Sequence, residues 1–173
     1  MSNIKLVHSG GNSVSITAPD SNPAANRTLK LTGNADGTIL TSKFGPSFAA
    51  RNNAAQTITN NTTATMQFGT EYYDTDNCYN TSNYRFTPNV AGIYLINSSV
   101  QVASLAGVIS LDIRLNGSRY ANMALNLHAS GLQTAANSVL VSMNGSTDYV
   151  DIGIFQNSGA SKNTVASLSL IHI

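Results

Sequence analysis

Arg85-Phe86-Thr87-Pro88-Asn89-Val90-Ala91-Gly92-Ile93-Tyr94-Leu95-Ile96 is the stretch that decides the fold of this chain. It reads as a short strand ending at Pro88, whose missing N–H limits further pairing at that end. A turn is expected through Ala91-Gly92, with Gly92 letting the chain bend tightly. The longest strand of the chain is expected to follow, from Ile93 to Val102.

Short alternating runs recur on the C-terminal side. They include Ile109 to Leu115, Val139 to Met143, Tyr149 to Phe155 and Ser167 to Ile173. In the third, Tyr149, Asp151, Gly153 and Phe155 share one face and Val150, Ile152 and Ile154 the other, the period of a strand. Asn116-Gly117 and Asn144-Gly145 interrupt these runs. Asn-Gly takes positive φ readily at both turn positions, so each step predicts a hairpin, the second with a longer loop to Asp148. Long apolar patterns at helical spacing are missing. Short strands punctuated by turn residues predict an all-β sandwich or barrel.

Bulk composition narrows the function. The chain has 173 residues, 42% hydrophobic and only 10% charged, against roughly a quarter charged in an average domain. That length suits one domain with a sizeable core and a short additional segment. Asn, Ser and Thr supply the polarity, a surface chemistry suited to extracellular and virion β-proteins. Net charge is +1 with no Lys/Arg cluster, so the electrostatic footprint of nucleic-acid binding is missing. No apolar run reaches the length of a membrane-spanning helix, which argues against membrane insertion. Met1 to Leu6 lacks the basic region and apolar run of a signal peptide, so synthesis in a host cytoplasm without secretion is expected. The single cysteine, Cys78, rules out an intramolecular disulfide; it reads as a packed thiol, with a cross-subunit bridge as the other possibility.

Residues 1–43 differ from the rest. Val14 and Ile16, then Leu29 and Leu31, then Ile39 are spread through Gly-, Asn- and Pro-containing sequence. Such a segment buries too little to fold alone. It is expected to be an extended arm with short strands, anchored through those five residues to neighbouring subunits or a larger assembly. The competing readings are a loose tail or an extra strand pair on a head formed by residues 44–173.

Phe86, Pro88, Ala91, Gly92 and Tyr94 form the pattern F-x-P-x-x-A-G-x-Y, which resembles the signature of C1q/TNF-like domains. The resemblance covers about residues 46–173, with Pro46 to Arg51, Thr65 to Phe68, Glu71 to Asp74, Tyr84 to Pro88 and Gly92 to Val102 in strand order. It implies an antiparallel jelly-roll β-sandwich that forms a homotrimer and binds partners without catalysing reactions. Aromatics are only 7% here, with no Trp, fewer than that family usually carries. A second resemblance covers the arm. Lys5-Leu6-Val7-His8-Ser9-Gly10-Gly11, Ala18-Pro19-Asp20-Ser21-Asn22-Pro23, Arg27 to Leu31 and Asp36 to Thr41 are similar to an N-terminal module of structural and tail-fibre proteins of marine, cyanobacteria-infecting bacteriophages. It implies that the arm attaches and the head does the work.

Several constellations could carry chemistry. Glycan hydrolysis needs two suitably spaced carboxylates; Asp148 and Asp151, three apart on a strand, fall on opposite faces. No Gly-x-Ser-x-Gly elbow occurs, and nothing in the sequence joins Cys78 to His8, His128 or His172. Asp74, Asp76 and Asn77 offer oxygens suited to calcium, or else cap a tight loop. Tyr72, Tyr73 and Tyr79 could stack on sugars, or fill core and subunit interface. Asn60 and Asn61, with the run Asn126 to Gly131, are expected in end loops, where receptor contact concentrates. The expected protein is therefore a non-enzymatic virion component, displayed on the particle surface as a trimeric knob or tail fibre contacting host surface glycans. The alternatives are a capsid decoration or cement protein at threefold positions, and a glycan depolymerase. No cofactor is expected beyond the calcium candidate. The expected partners are the chain itself and, through the arm, other virion proteins.

Overall fold

The computed structural model describes residues 3–7, 9–11, 13–17, 45–104, 106–127, 131–166 and 170–172. The chain divides into two compact units, Met1–Leu40 and Thr41–Ile173. Within the first, β1 (Asn3–Val7) and β2 (Ser13–Thr17) form an antiparallel hairpin. Its register sets Val14 opposite Leu6 and Ile16 opposite Ile4. Leu29, Leu31 and Ile39 lie outside the described residues.

The second unit contains β3 (Phe48–Arg51), β4 (Thr57–Ile58), β5 (Ala64–Thr65), β6 (Thr70–Asp74), β7 (Tyr79–Asn80), β8 (Arg85–Phe86) and β9 (Gly92–Val102). These are followed by β10 (Gly107–Leu115), β11 (Ser118–Leu127), β12 (Gln133–Met143), β13 (Val150–Gln156), β14 (Lys162–Asn163) and β15 (Leu170–His172). One sheet runs β12-β9-β15-β3-β6. The facing sheet runs β11-β10-β13-β8-β7, with β5 also on β13, and β14 pairs with β4. The pairings are antiparallel. Chain-adjacent strands repeatedly cross between sheets, as in a jelly roll, and the expected all-β sandwich is observed. The inner faces meet in one core built on Ile96, Val100, Ile109, Leu111, Ile113, Val141, Ile152 and Ile154.

Four aromatic rings cross that core. Tyr79 stacks on Phe48 at 4.3 Å, Phe48 on Phe86 at 5.0 Å, and Phe86 meets the edge of Tyr94 at 5.5 Å. Because Phe48 and Tyr94 belong to one sheet and Tyr79 and Phe86 to the other, the rings alternate between layers. Each contact adds about 0.5–1.5 kcal/mol beyond area burial. The Tyr79 hydroxyl donates to the Phe68 carbonyl at 3.0 Å, and the Tyr94 hydroxyl to the Val90 carbonyl at 2.6 Å.

The two Asn-Gly steps diverge. Asn116 (φ 53) and Gly117 (φ 79) close a two-residue hairpin between β10 and β11, as the sequence predicts. Asn144-Gly145 is not a hairpin, because β12 pairs with β9 and β13 with β10 in the opposite sheet. Instead Asn144 Oδ1 accepts from the N–H groups of Ser146, Thr147 and Asp148 at 2.9, 3.0 and 3.1 Å. This loop carries the chain across the sandwich. Gly92 also departs from expectation. It lies outside the left-handed region and simply begins β9. A position that does demand glycine is Gly145 (φ +72), where a Cβ would collide with the Val90-Ala91 backbone.

Two outcomes follow. Gly159 (φ +88) has open space, free of other atoms to 4 Å, where a Cβ would stand, so Gly159→Ala meets only backbone strain of about 1–2 kcal/mol. Gly145→Ala adds about 1–3 kcal/mol of overpacking; equal losses in urea unfolding for the two variants would overturn the close-approach argument. Burial, then the charges of Glu71 and Tyr84, push the Tyr79 hydroxyl pKa far up. The folded state therefore keeps a proton that the unfolded chain releases above about pH 10. Its contribution is intact below that pH and declines above it, by up to about 1.4 kcal/mol per pH unit. Tyr79→Phe should flatten that alkaline slope in unfolding curves collected between about pH 9 and 11; an unchanged slope assigns the effect elsewhere.

Candidate functional site

The turn after β6 carries the calcium candidates Asp74, Asp76 and Asn77 and commits the Asp74 carboxylate to the backbone. Asp74 Oδ1 accepts the Cys78 N–H at 3.0 Å and Oδ2 the Tyr79 N–H at 2.8 Å. Asn77 sits in the left-handed region, φ 53, which suits a tight turn. Among the described residues no three His, Cys, Asp or Glu side chains converge as a metal site. Asp74 therefore caps the loop through both of its carboxylate oxygens. Cys78 is buried and its thiol donates to the Asp76 carbonyl at 3.6 Å. Burial pushes that thiol's pKa up, away from the reactive thiolate. His8 and His128 lie outside the described residues.

The tyrosines separate. Tyr79, a candidate contact residue, is instead a core ring, buried because its stack and hydroxyl bond join the two layers. Tyr72 and Tyr73 are exposed on β6, and the Arg51 guanidinium lies 5.7 Å from the Tyr72 ring centre. Asn60 and Asn61 stitch neighbouring loops. Asn60 Oδ1 accepts the Gly159 N–H at 2.8 Å, and the Asn61 N–H donates to the Gln156 carbonyl at 2.8 Å. Part of the expected end loop is strand, since β11 runs on through Leu127.

Two surfaces stand out in the structure. The first is apolar. On β9, Ile96, Ser98 and Val100 point inward, so Ile93 and Leu95 point away from the core. Leu95 lies opposite Leu140 of β12. Ile93 is 72% exposed, Leu95 50% and Leu140 59%, an apolar strip on the outer face of the five-stranded sheet. Its signal in the sequence is a strand start with apolar residues on both faces.

The second surface is charged and has no signature in the sequence. On the outer face of the sheet containing β10, Arg114 Nε donates to Asp151 Oδ1 at 2.7 Å and Nη2 to Thr65 Oγ1 at 2.7 Å. Arg119 donates from Nε and Nη2 to Asp112 Oδ2, both at 3.0 Å. Arg85 approaches Asp151 at 4.0 Å and lies 3.9 Å above the Tyr149 ring centre. Asp112 and Asp151 are buried although they face outward, because the arginines cover them. Asp148, the other half of the carboxylate pair weighed for hydrolysis, accepts from Asn116 Nδ2 and the Asn144 N–H, each at 2.8 Å. Asp151 is likewise held as an ion-pair partner. The arrangement provides donors and apolar contact area, the means of binding.

Comparison with known proteins agrees with the topology. The globular domain of zebrafish complement 1qA superposes with a TM-score of 0.59 at 13% identity, covering 74% of this chain and 94% of that chain. Murine APRIL gives 0.56 at 8% identity, covering 73% and 95%. No curated protein sequence matches the chain. The family model for the C1q domain matches residues 47–170. That match runs from just before β3 into β15 and takes in both sheets and the Phe86–Tyr94 signature, so the chain belongs to the C1q domain family.

Proposed function

We propose that this protein is a non-enzymatic attachment module of a bacteriophage particle, a homotrimeric knob whose N-terminal arm fastens it to the virion while the head meets host surface glycans. The observation that carries the reading is the apolar strip of Ile93, Leu95 and Leu140 on the outer face of a C1q-family sandwich. Exposed apolar strand faces are costly in water, and closed symmetry is the common way to cover them. C1q-family domains commonly form homotrimers, and this strip offers each copy the same surface. The arm's resemblance to phage structural proteins supplies the attachment half. The uncharged polar surface of the chain, only 10% charged, suits display outside a cell.

Light scattering tests the assembly. The chain should run near three times its 18.2 kDa at micromolar concentration. Leu95→Lys with Leu140→Lys places like charges across the strip and should yield monomers that still unfold cooperatively. A wild-type monomer overturns the trimer, and a trimer that persists in the double variant moves the interface elsewhere. Removing residues 1–43 should leave the oligomer intact and abolish incorporation into particles, read by immunoblot of purified virions. Normal incorporation without the arm would end the anchoring proposal. A copy number matching the capsid shell would turn the reading toward decoration.

A further inference from the structure

We infer that the outer face of the sheet containing β10 binds the carboxylate groups of an acidic polysaccharide through Arg85, Arg114 and Arg119. This inference rests on the attachment reading for its biological role and names the ligand class and the face. Strand register makes the site. Arg114 on β10 pairs with Arg119 on β11 and, on its other side, with Asp151 on β13. Phe86 pairs with Val150, which sets Arg85 beside Asp151. One row across four strands therefore reads Arg119, Arg114, Asp151, Arg85. Like charges facing each other across strands cost stability, and with Asp112 beneath Arg119 the cluster holds three cations for two anions.

The vertical order of charge matters as much as the sum. The acidic side chains lie beneath, Asp151 at 5% exposure and Asp112 at 3%, while Arg119 is 59%, Arg85 41% and Arg114 16% exposed. Approaching solutes meet guanidinium groups first. Those groups are also held in place. A Cβ at Gly153 would come within 3.3 Å of the Arg114 side chain, so glycine there lets the arginine lie flat on the sheet. Thr65 and Asp151 fix its planar end, Tyr149 supports Arg85, and Asp112, itself bonded to Ser110 and Asn122, aims Arg119. Each guanidinium has five N–H donors, so these internal bonds leave others to form the paired contacts that match a carboxylate.

The shape of the face selects the ligand. Strands lie about 4.8 Å apart, so Arg85, Arg114 and Arg119 are spread along a row across four strands. Arg114 and Arg85 converge on the one carboxylate of Asp151 while Arg119 is turned to Asp112, so a compact anion would leave part of the row unused. A polymer with an acid on successive residues can meet all three. The remaining cations of the head, Arg51 and Lys162, belong to β3 and β14, outside this row.

Calorimetric titration of the full chain with polygalacturonate, against uncharged dextran, provides the test. Polygalacturonate should bind, more weakly as salt rises, and dextran should not. Arg85→Gln and Arg119→Gln should each weaken binding at least about tenfold, the scale of a lost hydrogen bond to a charged group. Arg119→Lys should fall between wild type and Arg119→Gln, because it keeps the charge and loses the fork. Lys162→Gln should bind as wild type does. Arg119→Gln also leaves buried Asp112 without its cation and lowers the melting temperature, so binding is measured well below each midpoint, and Arg119→Lys, which keeps the charge, separates lost binding from lost fold. No binding by wild type, equal binding by the arginine variants, or equally tight binding of dextran sulfate or duplex DNA would each overturn the inference. Adsorption to host cells separates the two proposals. Adsorption that survives Arg85→Gln with Arg119→Gln removes this face and leaves the attachment reading intact, whereas no adsorption by wild type removes attachment while polygalacturonate binding is judged separately.

Discussion

The two layers of this head are tied by the ring stack Tyr79–Phe48–Phe86–Tyr94. The strands that supply Tyr79 and Phe86 are only two residues long. Such strands contribute too few ladder bonds to persist alone. Their place is set by side chains that reach into the opposite sheet. Tyr94 extends the tie to the loop before β9 by holding the Val90 carbonyl, and that same loop presses against Gly145. The family signature is thus a set of mutually dependent contacts between segments far apart in sequence. It fixes where β9 starts and how the loop after β12 must cross.

Legibility from sequence followed the physics of each segment. The boundaries of β9 and the Asn116-Gly117 hairpin were readable because alternation and turn preference are local. The reach of β11 to Leu127 and the start of β12 at Gln133 were not, because Ala, Asn, Ser and Thr give those stretches little hydrophobic contrast. Asn144-Gly145 shows a different limit. A preference for positive φ specifies backbone shape, and the partner of the next strand is decided by sheet-wide packing. Tyr79 resembles its exposed neighbours in sequence and differs from them only through where the Asp74 turn delivers it. The charged row depends on register between strands whose members Arg114 and Asp151 are 37 residues apart, which no local pattern encodes.

Low overall charge and a concentrated charge network fit together. Buried carboxylates are tolerated when hydrogen-bonded and paired, and Asp112 and Asp151 each have an arginine above them. Their placement gives the outer sheet face ordered polar groups without a surface crowded by mobile lysines. The opposite face of the sandwich uses exposed aliphatic side chains instead. One fold therefore offers two outer surfaces of contrasting chemistry, apolar on the sheet of β9 and β12 and cationic on the sheet of β10 and β13.

The position of β15 bears on how the head comes together as it is made. Residues 170–172 form the strand between β9 and β3, so a growing chain holds those two strands with an unfilled slot between them until nearly the whole head has been synthesised. The first-made strand of the sandwich must wait for one of the last. Closure is therefore a late, long-range event, slow by its topology. Until it occurs, both unpaired edges are open to the wrong neighbour, and a chain cut before residue 170 would leave a sheet divided at its middle rather than trimmed at its border.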